Sequence, residues 1–158
     1  MKSSFDRTLS DYKKVAIDSM CFIYQFEGSK IYGELTKQLF LRLQKNKLTA
    51  VSSVLTIAEI LAFDKLQKNR VLFEQAKAKL YSTPNLRIIT VNEAISEASA
   101  ILKCKYKITL PDAIQLSTAI MSDQKAFISN DYHLKKIKEV RVLILDDFKP
   151  SNRSKDKV

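Results

Sequence analysis

Glycine is almost absent from this chain. Gly28 and Gly33 are the only two in 158 residues, which excludes a phosphate cradle built on glycine, whether a P-loop or a dinucleotide fingerprint. Histidine is scarcer still, His133 standing alone, and the two cysteines, Cys21 and Cys104, sit at a spacing that matches no zinc pattern. Both cysteines lie in apolar sequence and read as reduced core thiols. No run approaches the roughly 20 apolar residues that span a bilayer, and the opening MKSSFDRTLSDYKK lacks the apolar centre of a signal peptide. A cytoplasmic protein with no membrane partner is expected.

Negative charge is also in short supply. Lys and Arg number 27 against 17 Asp and Glu, a net charge of +10. A surplus of that size on a small domain favours polyanionic partners such as nucleic acid. With 46% hydrophobic residues, the length suits one domain with a sizeable core. It is expected over residues 1–149, followed by a polar tail at 150–158, PSNRSKDKV.

What the chain does contain is a regular alternation. Short β-branched apolar runs of strand length fall at 15–17, 50–54, 87–91, 126–129 and 140–145. Between them Ile31, Leu35, Leu39 and Leu43 recur every four residues, an amphipathic helix whose leucine stripe belongs to the core. Segments 57–66, 71–81, 93–105 and 109–121 carry helical patterns too. Strands alternating with helices predict an α/β fold: a parallel sheet of about five strands covered on both faces. Right-handed crossovers make it doubly wound, with a ligand crevice at the carboxyl ends of the strands.

Four acids interrupt apolar sequence. Asp18 follows the first strand in VAIDSMCFIY, Glu59 lies in TIAEILAF after the second, Asp112 opens the helix LPDAIQLSTAI, and Asp131 follows the fourth strand in AFISNDYHL. Winding places Asp18, Glu59 and Asp131 at the carboxyl edge; Asp112 joins them only if 93–105 forms an extra helix. Each has an innocent explanation. Thr56 with Glu59, and Thr109 with Asp112, fit capping boxes, Asn130 or Asp131 suits an N-cap, and Asp18 an Asx-turn. Gathered together, however, like charges raise one another's pKa or take up cations. Oxygen donors without His or Cys suit Mg²⁺ or Mn²⁺ rather than zinc, and such a cluster can activate water against a phosphodiester.

In these stretches, and in this order and spacing, the sequence resembles the PIN domain family, and within it the VapC-like toxin ribonucleases. VAIDSMCFIYQFEG, VSSVLTIAEILA, LPDAIQLSTAI and AFISNDYHLKKI carry the likeness. The resemblance implies a three-layer α/β/α fold, Mg²⁺- or Mn²⁺-dependent RNA cleavage, a homodimer, and inhibition by a cognate antitoxin encoded alongside. By position it makes Asp18, Glu59, Asp112 and Asp131 the catalytic and metal-binding acids. Ser19 and Asn130 become supporting residues, Ser19 steadying Asp18 and Asn130 turning the chain so that Asp131 points inward. Met20 departs from the pattern, because the family usually has Asn or Ser there and a thioether cannot donate a hydrogen bond to Asp18. A non-catalytic RNA-binding PIN domain is therefore the alternative. Met20 also stands where a phosphatase working through an aspartyl intermediate needs a second acid. His133, Asp146 and Asp147 read as surface groups, and the lysines around Tyr106 and after His133 as solvated faces or an RNA groove.

Overall fold

The computed structural model describes residues 3 to 150, so residues 151–158 of the expected tail lie outside it. Five parallel strands form one sheet in the order β3-β2-β1-β4-β5, with β1 at Lys14–Ile17, β2 at Thr49–Ser53, β3 at Leu86–Ile89, β4 at Ala126–Ser129 and β5 at Arg141–Ile144. The two-residue period of a strand divides its side chains between two cores. Val15, Ile17, Ala126, Ile128 and Leu143 enter one, while Ala16, Phe127, Val142 and Ile144 enter the other. A run apolar at every position is thus buried on both faces, and the three-layer α/β/α expectation is met.

Helices α1 (Ser4–Leu9), α2 (Ser19–Glu27) and α3 (Gly33–Gln44) cover the first face, joined by Ile60 of α4 (Leu55–Leu61) and Leu80 of α6 (Arg70–Tyr81). The second face is covered by α7 (Glu93–Tyr106), α8 (Leu110–Met121) and the 3-10 helix Tyr132–Lys136. The sheet winds outward from β1 to β2 and β3, then returns to place β4 on the other side of β1. The order therefore reverses between β1 and β4, which is where a doubly wound sheet opens a crevice. Asp18 N–H continues that ladder by donating to Ile128 O at 2.9 Å.

Four local expectations need correction. The helix expected at 57–66 is two, because after α4 the backbone at Phe63 is extended (φ −65°, ψ 132°) before α5 (Asp64–Gln67). Helices α1 and α2 were not anticipated: Ser3 Oγ caps the first by accepting from Asp6 N–H, and the second ends on left-handed Gly28 (φ 64°). Ile31 leaves the leucine stripe, since the helix begins at Gly33 and Ile31 is 62% exposed while Leu35, Leu39 and Leu43 are buried. Cys104 is exposed on the outer side of α7, whereas Cys21 is buried, and both thiols are free.

Arg42 of α3 fastens α1 to the body. Its Nε donates to Asp6 Oδ1 and its Nη2 to Asp6 O, both at 2.7 Å, beside the fully buried Phe5 and Leu9. Removing one partner of a pair so enclosed leaves a charge poorly solvated. Arg42→Ala should lose about 2–3 kcal/mol in urea unfolding, allowing for the partial exposure of Asp6. A loss below about 0.5 kcal/mol would show the pair to be an ordinary surface contact.

Candidate active site

Asp18 leaves β1 in extended conformation and caps α2, its Oδ1 accepting from Ser19 N–H at 2.7 Å. Oδ2 accepts from Ser129 Oγ at 2.6 Å, across the β1/β4 junction. Ser129 in turn accepts from Asp131 N–H at 3.1 Å, so one hydroxyl links the first and fourth acids. Glu59 comes from α4. Its Oε2 accepts from Ser19 Oγ at 3.0 Å and its Oε1 from Gln115 Nε2 at 2.8 Å. Ser19 Oγ also lies 3.3 Å from Asp18 Oδ1. A hydroxyl has one hydrogen to give, and the shorter distance assigns it to Glu59.

Asp112 lies in the first turn of α8, where Thr109 Oγ1 donates to its Oδ2 at 2.6 Å and accepts from its N–H at 3.2 Å. Asp131 Oδ1 accepts from His133 N–H at 2.9 Å and so caps the 3-10 helix. The cap explanation thus holds for Asp18 and Asp131, whose carboxylates accept from backbone N–H groups, and at Asp112 for its partner Thr109, the N-cap of α8. It fails for Glu59, because α4 begins at Leu55, with Thr56 inside it, and Thr56 Oγ1 accepts from Gln115 Nε2 instead.

Burial pushes the Asp18 carboxyl up from 3.8 to about 6; the charges of Glu59 and Asp112 push the same way, while the Ser129 and Ser19 hydrogen bonds oppose them. The site is therefore short of positive charge, and its donor set is oxygen alone. Those are the requirements of a hard divalent cation, and the residues fit one chemically. Among the described residues, however, no three Asp, Glu, His or Cys side chains converge closely enough to hold a metal as they stand. The chain assembles a pair, Asp18 and Glu59, with Asp112 in electrostatic reach and Asp131 turned toward its own helix.

The model of the PIN domain matches residues 15–140. This chain belongs to the PIN domain family. Among solved structures it is similar to a toxin-antitoxin complex from Klebsiella pneumoniae, 26% identical over 83% of this chain and 97% of that one, with a TM-score of 0.64. VapBC2 from Rickettsia felis, bound to a DNA fragment from its promoter, is 15% identical over 83% and 98% with a TM-score of 0.66. DNA-bound VapBC from Salmonella typhimurium is 11% identical over 84% and 98% with a TM-score of 0.62. The last two likenesses show the fold. No curated protein sequence matches.

Within this PIN domain, the Asn130 side chain hydrogen-bonds to groups other than Asp131's carboxylate. Its Nδ2 donates to Tyr24 OH at 3.1 Å and its Oδ1 accepts from Asp146 N–H at 2.9 Å, tying the S-N-D turn to α2 and to the end of β5. Asp146 pairs with Lys149 and Asp147 with Lys135, while His133 is exposed and meets the acids through its backbone N–H, which donates to Asp131. Sequence reasoning missed Ser129 and Gln115. Ser129 supplies the Asp18 hydrogen bond that Met20 cannot, and its signal was the first letter of S-N-D. Gln115 is three residues after Asp112, hence on the same side of α8, and only its polarity within an apolar helix marked it.

A rise from 3.8 to about 6 costs ionised Asp18 about 3 kcal/mol in the folded state. That cost is absent below pH 4 and complete above about 6, so the metal-free protein loses stability as pH rises through this window. Asp18→Asn, in chelator, should be more stable than wild type by about 1–3 kcal/mol at pH 8, the gap closing toward pH 4. Parallel stability curves for the two proteins would contradict the burial of an uncompensated charge.

Proposed function

We propose that this PIN domain is a metal-dependent endoribonuclease that hydrolyses RNA phosphodiester bonds and acts as the toxin of a type II toxin-antitoxin pair. The observation that carries the proposal is the buried Asp18 carboxylate sharing Ser19 with Glu59, under the charge of Asp112, at the switch point of a parallel sheet. Family membership supports nuclease chemistry, and the net charge of +10 supports a polyanionic substrate.

Asp18, Glu59 and Asp112, with Asp131 beyond Ser129, would hold Mg²⁺ or Mn²⁺. A bound divalent ion supplies Lewis acidity toward the phosphate and a water ionised near neutral pH. The chain's own part is to fix the acids. Ser129 and the Ser19 N–H hold Asp18, while Ser19 Oγ and Gln115 hold Glu59. With Mn²⁺, Asp112→Asn should cleave RNA at least about 100-fold more slowly than wild type, with its melting temperature retained. Equal rates would end the proposal. A non-catalytic RNA-binding domain is the second reading, favoured by the local donors that already occupy Asp112 and Asp131. It predicts RNA binding without Mn²⁺ uptake.

An antitoxin partner is supported by the neighbouring solved structures, which are complexes of that kind. Ile23, Phe26, Ile60, Phe63, Leu66 and Leu72 line an open groove of about 160 Å³ between α2, α4, α5 and α6, where Phe63 and Leu72 are 39% and 40% exposed. Apolar side chains of the antitoxin would cover it. Leu72→Glu should weaken binding to the product of the neighbouring reading frame at least tenfold while leaving RNA cleavage unchanged. Undiminished affinity would move the partner elsewhere. Exposed Ile101, Leu110 and Met121 on α7 and α8 offer apolar surface for the homodimer, whose mass light scattering would give. Among the described residues no helix is long and apolar enough to cross a membrane.

A further inference from the structure

We infer that Gln115 is a positioning residue that holds Glu59 against the repulsion of Asp18. It is an amide only 3% exposed, on α8, among the apolar residues that cover the second face of the sheet. Its Nε2 gives one hydrogen to Thr56 Oγ1 at 2.9 Å and the other to Glu59 Oε1 at 2.8 Å. The amide can sit only this way round, since the opposite orientation would turn its carbonyl oxygen onto a carboxylate.

Glu59 is held at both oxygens, by α2 through Ser19 and by α8 through Gln115. The two holds are unequal. Ser19 Oγ also lies within reach of Asp18, so it draws Glu59 toward the charge that repels it. Gln115 offers no second acid. It anchors the other oxygen of Glu59, and Thr56 keeps the amide aimed. Because Gln115 lies three residues after Asp112, α8 carries both the third acid and the clamp on the second. A shift of α8 would move both together.

The inference rests on Glu59 belonging to the proposed metal site, so the experiment reads the clamp with and without metal. Gln115→Met keeps the approximate length and volume but has no donor, and Thr56→Val removes only the group that aims the amide. Wild type is expected to bind Mn²⁺, followed by electron paramagnetic resonance, with Gln115→Met binding it about 10- to 100-fold more weakly and Thr56→Val within about threefold. Melting temperatures should stay within a few degrees. In a crystal structure of metal-free Gln115→Met, Glu59 should leave the Ser19 hydroxyl. Unchanged Mn²⁺ affinity with Glu59 in place would overturn the inference while leaving the metal site intact. If wild type binds no Mn²⁺, the metal site falls, and the metal-free structure still decides: a displaced Glu59 upholds the clamp and an unmoved one refutes it.

Discussion

The constraint on which this site depends is the enclosure of negative charge with no cation hydrogen-bonded to it among the described residues. Asp18 is 8% exposed, and the partners that hydrogen-bond to it are serines, neutral groups that orient a carboxylate without neutralising it. Glu59 and Asp112 act on it with charge of the same sign. A fold that buries charge in this way gives up stability, and that loss is recovered when a positive ligand enters. A divalent ion, as proposed, would make good that loss, and PIN domains are generally nucleases.

Topology makes the gathering possible. Asp18 and Asp131 are far apart in sequence, yet β1 and β4 are neighbours in register, Ile17 beside Ile128, so the residues that follow them emerge side by side. Ser129 turns that adjacency into a chemical link, donating to one acid's carboxylate and accepting from the other's backbone. Glu59 and Asp112 arrive on helices rather than strands. Their placement depends on α4 and α8 meeting at Gln115, a contact between groups 56 residues apart in sequence.

Much of this was legible beforehand. The five strands could be read because a doubly covered parallel strand must be apolar at successive positions, which Val15, Ala16 and Ile17 or Ala126, Phe127 and Ile128 satisfy. The four acids stood out because each interrupts apolar sequence. The break at Phe63 was not legible, since the apolar period runs through it unchanged. Nor was the exposure of Cys104, which depends on which side of α7 faces the sheet. The cap assignments were half right for a physical reason: an acid at a helix start can satisfy backbone N–H groups and still present charge to a shared pocket. The two roles do not compete.

By itself the sequence determined the alternation of strands and helices, the excess of positive charge and the restriction of donors to oxygen, because periodicity and composition are local properties of the chain. Only the tertiary structure decided that Asp18 and Glu59 meet at a common hydroxyl, that Asp131 leans toward His133 and that Gln115 holds the other oxygen of Glu59. Those outcomes hang on distances of a few tenths of an ångström between groups distant in sequence. Packing of the helices on the sheet fixes such distances, and no pattern of residues encodes them.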